Sequence, residues 1–372
     1  FDLNFNTIAE DFTFTRGSEA TFVNAQGLIQ STASNDAPRL DYSTGAEAFL
    51  LEPQSTNLIP YSEDFSQWNN NGVNVTLNQG ISPDGNNSAN RIEGTLSSQS
   101  FSITTSSVSN YTFSMYVKPV NSPFIRIIGG SSKCYFDMTN KTVATNTFDE
   151  ASIEDVGNGW FRLVGSSSNT ANTFETYAHL IDNTSTEFVG SDYLVWGAQV
   201  EQQSYPTSYI PTSGASATRN QELCNNATPV INSEEGTLYA EISALANDGT
   251  LRRITISDGT TANIVMVSFN SADNQYRSYV ISNGSVVFNF IGGFSSSLDF
   301  NKIAISYSQN NFALWVNGVE VATDLSGNTP IGLNNLSFDG VNGATPFFGN
   351  TKDLKYYPKA LADVQLQDLT TL

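Results

Sequence analysis

The sequence predicts an all-β chain, and three observations carry that reading. Apolar residues alternate with polar ones over short runs, the period-two signature of half-buried strands. Turn residues punctuate those runs, as in Ser82-Pro83-Asp84-Gly85, Gly129-Gly130 and Asn158-Gly159. Two Asn-Gly pairs, Asn283-Gly284 and Asn317-Gly318, each join two such runs and mark tight hairpins. Strands at this spacing, with no helical stretch between them, indicate antiparallel sandwiches or jelly rolls.

Composition narrows the class. At 372 residues the chain has room for two or three domains of ~100–200 residues. Hydrophobic residues make up 39% and aromatics 12%, with 24 Phe and 15 Tyr, enough for more than one core. Only 14% of residues are charged, against about 25% in an average globular protein, so Asn, Ser, Thr and Gln must build the surface. That is the surface of an extracellular or virion protein rather than a cytosolic enzyme. The net charge is −20 and the pI near 4.2, and Arg252-Arg253 is the only adjacent basic pair. Binding to nucleic acid or anionic membranes, which needs clustered Lys or Arg, is not expected. No apolar run approaches the ~18 residues of a membrane span, so membrane insertion is not expected either. The chain opens on Phe1 rather than Met with no visible signal peptide, and reads as processed or trimmed. Cys134 and Cys224 fall in different segments and read as free thiols.

Residues 1–56 read as an extended β leader. Phe1, Leu3 and Phe5 alternate with Asp2, Asn4 and Asn6. Such short strands cannot bury themselves alone. They must lean on a later domain or on another subunit, which makes Phe1, Leu3 and Phe5 a candidate assembly strand for β-augmentation. Phe12 and Phe14 repeat the pattern before a turn at Arg16–Glu19, and Ala20–Val23 and Leu28–Ile29 flank a hairpin-like turn. Four phrases follow in order at residues 14–21, 24–29, 37–42 and 50–59. In that order they resemble the leader of tailed-phage head-spike and tail-fibre proteins.

Residues 57–205 supply strand candidates at Ser100–Ile103, Tyr111–Val117, Phe124–Ile128, Cys134–Met138, Trp160–Gly165, Thr173–Ile181 and Tyr193–Val200. The stretch from Asn57 to Trp68 and the strand Asp192–Glu201 resemble the first and last strands of carbohydrate-binding-module jelly rolls, whose two ends meet. Gly157–Leu163 is similar to a further strand of that group. The resemblance implies a glycan-binding role and a structural calcium held partly by the opening strand, where Glu63 and Asp64 could serve. On the closing strand Gly197 and Ala198 depart from that pattern, standing where acidic ligands would be expected.

A linker is expected over residues 206–235, with Pro206, Pro211 and Pro229, while Tyr205, Tyr209 and Ile210 point its first part back onto the preceding domain. In residues 236–372, Leu238, Ala240, Ile242 and Ala244 alternate with Tyr239, Glu241 and Ser243. The run Asn301–Val319 and the tail Leu354–Leu361 resemble the hairpin and closing strand of concanavalin A-like, laminin-G-like sandwiches. A short helix through Leu366 and Leu369 should follow.

Catalysis is not expected. His179 is the only histidine and shares a strand face with Tyr177 and Ile181, so zinc and a histidine base lack their partners. The acid pairs Glu63-Asp64, Asp149-Glu150, Glu154-Asp155 and Glu234-Glu235 are neighbours in sequence, and neighbours on a strand point to opposite faces. Asp182, Asp192 and Asp339 are further acidic loop residues without a singular spacing. Trp68, Trp160, Trp196 and Trp315 lie inside the strand phrases and read as core; Tyr116, Phe124, Tyr135 and Tyr276 are the candidate sugar platforms.

The expected function is a non-enzymatic virion surface protein, a phage fibre, spike or head decoration. It would mediate attachment as a homo-oligomer (trimer or fibre) or with other virion proteins, through a cell-surface glycan. A bacterial extracellular filament or surface adhesin built by strand donation, and a secreted glycan-binding accessory module, are the alternatives. No cofactor is required beyond a possible structural calcium.

Overall fold

The computed structural model describes residues 1–96, 100–121, 123–179 and 189–372. Over these the chain is β throughout, apart from the short helix Ile8–Asp11, a 3-10 turn at Phe65–Gln67 and the helix Asp363–Thr370. None of these helices is long and apolar enough to cross a membrane. Asp182 and the imidazole of His179 lie outside the described residues.

The chain forms two compact units that are interleaved in sequence. One takes Phe1–Gly17, Ala33–Pro53 and Gln221–Leu372; the other takes Ser18–Thr32 and Gln54–Asn220. The segments expected as leader and linker are thus shared out between the units. The physical reason is edge satisfaction: isolated short strands leave backbone groups unpaired, and these pair with other short segments, Thr13–Thr15 with Leu223–Asn225 and Ser55–Asn57 with Ala217–Arg219, or, for Ala48–Leu51, with the longer strand Gly349–Tyr357.

The unit containing the C-terminus is a two-sheet sandwich. Its seven-stranded sheet runs Val319–Asp324, Asn311–Val316, Asn301–Ser308, Glu235–Ala244, Gly349–Tyr357, Ala48–Leu51, Arg39–Asp41. Its five-stranded sheet runs Ser285–Gly293, Gln275–Ser282, Ile264–Phe269, Arg252–Ser257, Asn335–Ser337. Alternation places Leu238, Ala240, Ile242, Ile303, Ile305 and Leu314 from one sheet against Ile254, Ile256, Val265, Val267 and Val280 from the other. Asn283 and Asn317 both adopt positive φ ahead of positive-φ glycines, as the two hairpin turns require. The C-terminal helix covers the outer face of the seven-stranded sheet, burying Leu366 on Tyr239, Ala304, Ala313 and Trp315.

Phe1 and Leu3 extend that sheet within the same chain. Leu3 N donates to Leu354 O at 2.9 Å and Tyr356 N donates to Phe1 O at 2.9 Å, while the Phe1 ring packs edge-on against Phe12 at 5.9 Å. Phe1, Leu3 and Phe5 all pack against the unit's own core. The candidate assembly strand is therefore occupied in cis, because the strand Gly349–Tyr357 offers it an otherwise open edge beyond Ala48–Leu51.

The second unit holds one ten-stranded antiparallel sheet, bent so that a single core lies inside it. Two twenty-residue strands, Ser100–Pro119 and Trp160–His179, run its full length, where the sequence suggested shorter pieces. Register shifts between Thr104 and Val108 and between Ser109 and Tyr111 interrupt their pairing. The two ends of the unit meet as expected: Leu58 N donates to Val200 O at 2.8 Å, and Asn57 bridges Val200 N, Ala198 O and Ile210 O. Cys134 is buried here and Cys224 in the other unit, both as free thiols. Burial pushes the Cys134 thiol up to about 12.

Candidate functional site

A second apolar cluster sits on the outer face of the bent sheet. Trp160, Leu194, Trp196, Tyr116 and Tyr209 form it, and Ile29 from the hairpin Thr21–Val23/Ile29–Ser31 packs onto it. All four tryptophans of the chain are buried, as expected. Backbone chemistry sets Trp196 in place. The pairing of Ser100–Pro119 with Asp192–Glu201 skips a residue between Ser114 and Tyr116, so Gly197 and Ala198 form a bulge. Gly197 has φ +61°, and a Cβ there would meet the Tyr116 ring at 3.0 Å and the Tyr209 ring at 3.3 Å. The Gly-Ala step that departs from the calcium-ligand pattern is thus the bulge that aims Trp196 outward.

Beside this cluster opens a cleft of about 290 Å³. Its polar lining comes from Gln30 of the hairpin, Glu63 of the opening segment, and Asp84 and Asn86 of a turn; Trp196 and Tyr209 form its aromatic wall, with ring centroids 4.5 Å apart. The turn is held by its own side chains. Asp84 accepts from Ser82 Oγ, from Asn86 N at 3.0 Å and from Asn86 Nδ2 at 2.8 Å. Tyr209 OH donates to Glu63 Oε1 at 2.8 Å and also meets Ser62 Oγ at 2.7 Å. Burial pushes the Tyr209 phenol far above its usual range, so it remains a donor. The Glu63 carboxyl is pushed upward mainly by its own burial and further by the charge of Asp84, against the opposing pull of Tyr209 and Trp196. The Trp196 indole N–H is buried and acts on the Glu63 carboxyl from outside strict hydrogen-bond geometry.

A larger hollow of about 390 Å³ lies among Leu28, Ile81, Pro83, Lys118, Val156 and Trp160. Its polar groups are already used inside the chain. Trp160 Nε1 donates to Ile81 O at 3.0 Å and Lys118 Nζ to Asn158 O at 2.8 Å. A ligand site needs convergent polar groups with capacity to spare, and the smaller cleft has them.

The residues singled out from sequence scatter. Tyr116 is buried, with Trp196 at 5.5 Å, Tyr209 at 6.4 Å and the Arg162 guanidinium at 5.5 Å from its ring, so it offers no open face. Tyr276 is buried in the core of the other unit against Phe294 at 4.7 Å. These two are not sugar platforms. Phe124 and Tyr135 do share an outer face of the sheet, diagonal across adjacent strands. Between Tyr135 and Tyr177 stands Arg126, whose guanidinium lies 5.5 Å from one ring and 4.5 Å from the other and donates to Tyr135 OH at 3.1 Å. That cation occupies the ring faces a sugar would stack on. Phe124 and Tyr135 are both half-buried, and of the two only Phe124 is free of that guanidinium.

Glu63 and Asp64 diverge. Glu63 turns to Tyr209, while Asp64 caps the 3-10 turn, accepting from Ser66 N at 3.1 Å and Ser66 Oγ at 2.5 Å. Both border a shallow hollow of about 260 Å³ with Thr212 and Ser213. They supply at most four of the six or more oxygens that calcium takes, and Asp64 is already engaged by Ser66. Among the described residues no group of three or more His, Cys, Asp or Glu could hold a metal ion. Asp192 forms a two-pronged pair with Arg91, and Asp339 accepts from the backbone of Val341 and Gly343. Neither faces the cleft.

Gln30, Asp84, Asn86 and Tyr209 escaped sequence reasoning because they stand far apart along the chain. The one available signal was that Tyr209 and Ile210 were expected to fold back on the preceding domain, and both are buried there.

No family model matches the chain, and no curated protein does. Among solved structures the chain is similar to the IT-sialidase CBM40 of Ruminococcus gnavus, with 18% identity over 37% of this chain and 84% of that one and a TM-score of 0.33. It is also similar to domain 4 of AbnA, a GH43 extracellular arabinanase from Geobacillus stearothermophilus in complex with arabinotriose. There the identity is 16% over 46% of this chain and 84% of that one, with a TM-score of 0.34. A SAP-like pentraxin from Limulus polyphemus, described as a native heptamer, matches at 14% identity over 38% of this chain and 72% of that one, with a TM-score of 0.30. Likeness this low carries nothing about what this chain binds.

Proposed function

We propose that the protein is a non-catalytic attachment protein that binds a glycan in the cleft beside Trp196. One observation supports this most: Glu63, Gln30 and Asn86 line one hollow bordered by Trp196 and Tyr209, so donors and acceptors for sugar hydroxyls converge there. A cavity of about 290 Å³ suits one or two sugar rings. Turnover is disfavoured by the carboxylate arrangement. A glycosidase needs a proton donor and a second, available carboxylate about 5–10 Å away. Glu63 has the raised pKa of a donor, but Asp84 is the other acid lining the cleft and its oxygens are spent on its turn.

The location proposed is the surface of a phage virion. It is supported by the resemblance of the leader phrases and by the polar composition with few charged residues. A glycan array probed with the full chain tests binding, and a Trp196→Ala variant should lose any signal found. Signal retained by that variant would remove the cleft from the proposal. Mass spectrometry of purified virions tests location, and absence of the protein from them would end the virion assignment.

A further inference from the structure

Independently of the cleft, we infer that Asn158-Gly159 is a self-modifying site, where Asn158 loses its side-chain amide to the next backbone nitrogen with the assistance of Lys118. The sequence holds five Asn-Gly pairs, at Asn71, Asn158, Asn283, Asn317 and Asn342. In each the glycine, lacking a Cβ, leaves its nitrogen open to attack the Asn Cγ. Folding separates the five by what holds that nitrogen and the amide above it. Gly284 N donates to Ala262 O at 2.9 Å, Gly318 N to Thr370 Oγ1 at 3.2 Å and Gly343 N to Asp339 Oδ2 at 2.7 Å. Asn317 is pinned at both side-chain atoms, Nδ2 donating to Asn301 Oδ1 and Oδ1 accepting from Lys302 N, each at 2.9 Å. Asn342 Nδ2 donates to Gly259 O at 3.3 Å. Asn71 sits in a strand paired with Ser100, and Gly72 O accepts from Thr95 N at 2.9 Å.

Asn158 differs on each count. Gly157 faces Trp160 across a two-residue hairpin turn, with Gly157, Asn158 and Gly159 all at positive φ (86°, 53° and 78°). Asn158 is exposed, and alone of the five it has a glycine on either side. Among the described residues neither its side chain nor the Gly159 N–H meets a partner at hydrogen-bond geometry. Its backbone carbonyl does: Lys118 Nζ donates to Asn158 O at 2.8 Å. That oxygen and the Gly159 nitrogen belong to one peptide group. When solvent base removes the Gly159 proton, the charge spreads onto the oxygen, against which the ammonium already stands. The nitrogen then bonds to Asn158 Cγ, the Cγ–Nδ2 bond breaks, and ammonia leaves with a proton taken from water. Water opens the resulting five-membered imide at either carbonyl, giving aspartate or isoaspartate. Over the two steps one water is consumed and one ammonia released, with no oxidation. A carboxylate thereby appears beside Lys118, at the rim of the larger hollow.

Ageing of the full chain in mildly alkaline buffer, followed by peptide mapping with mass spectrometry at all five pairs, tests this. Asn158 should convert first, several-fold faster than any of the other four. Lys118→Met should slow that conversion about tenfold, the loss of one charge-assisted hydrogen bond to the developing charge, and leave the other four rates as they were. Lys118→Arg, which keeps a cation on the Asn158 carbonyl, should restore most of the rate. Earlier conversion at another pair, or equal rates at all five, overturns the site, and that ranking needs no variant. Conversion at the parent rate in a Lys118→Met chain of unchanged melting overturns the part assigned to Lys118. So does a Lys118→Arg chain as slow as Lys118→Met.

Discussion

Arg39 and Glu222 form a two-pronged ion pair with no solvent exposure on either side chain. Arg39 lies in the third leader phrase, and Glu222 stands where the chain returns from the other unit. Arg16, from the first phrase, reaches the same carboxylate at 2.8 Å, and Glu52, from the fourth, meets Arg39 at 2.8 Å. Glu52 N also donates to Glu222 at 2.9 Å. Burial works against the Arg39 charge, but Glu222 and Glu52 outweigh it and the guanidinium pKa is raised. The leader phrases thus encode a buried charge cluster that ties three separated stretches together.

Removing one member of that cluster leaves an uncompensated buried charge, at a cost of about 3–5 kcal/mol. Glu222→Gln and Arg39→Met should each lower the denaturant midpoint of the protein severely. The double substitution Arg39→Met with Glu222→Leu should cost less than the sum of the single changes. Additive losses would show that the pair is not coupled.

Glu63 should make stability depend on pH in a specific direction. Its pKa is raised on folding, so the native state holds the proton more tightly than the unfolded chain. The resulting stabilisation is full below the ordinary carboxylate range and is lost as pH rises through the raised value. Asp84, Tyr209 and Trp196 face it, and Asp84 adds to the effect. Glu63→Gln should therefore melt higher than the parent at pH 7.5, with the advantage shrinking toward pH 4. An advantage that grows at low pH would contradict the sign.

Gly197→Ala tests the bulge. The new methyl must be carried at φ +61° and presses on Tyr116 and Tyr209. A loss of about 1–3 kcal/mol in unfolding free energy is expected, together with altered fluorescence from a displaced Trp196. A neutral substitution would mean that the bulge relaxes freely and does not hold the indole.

Deleting residues 1–5 opens the backbone of Leu354 and Tyr356, to which Phe1 and Leu3 are bonded. An unpaired edge invites pairing with another chain. The truncated protein should be less stable and should self-associate in analytical ultracentrifugation, whereas a strand donated in trans would make deletion abolish association instead. A fully stable, monomeric truncation would refute the cis pairing.

Local chemistry made much of this protein legible from residues alone. The all-β class, the two Asn-Gly hairpins, the buried tryptophans and the terminal helix on Leu366 follow from period-two patterning, positive-φ turns and side chains too apolar to face water, while the meeting of Asn57 with the closing strand is what the resemblance to carbohydrate-binding-module jelly rolls implied. What the tertiary structure alone decided is partnership. It placed Phe1 and Leu3 on their own chain's sheet, gathered Arg16, Arg39 and Glu52 around Glu222, buried Tyr116 and Tyr276, and set Glu63 opposite Tyr209 across 146 positions. Those outcomes depend on which edge a strand finds and which carboxylate a guanidinium reaches once the chain has closed. Such interactions span long loops whose closure leaves no periodic trace in the residues between.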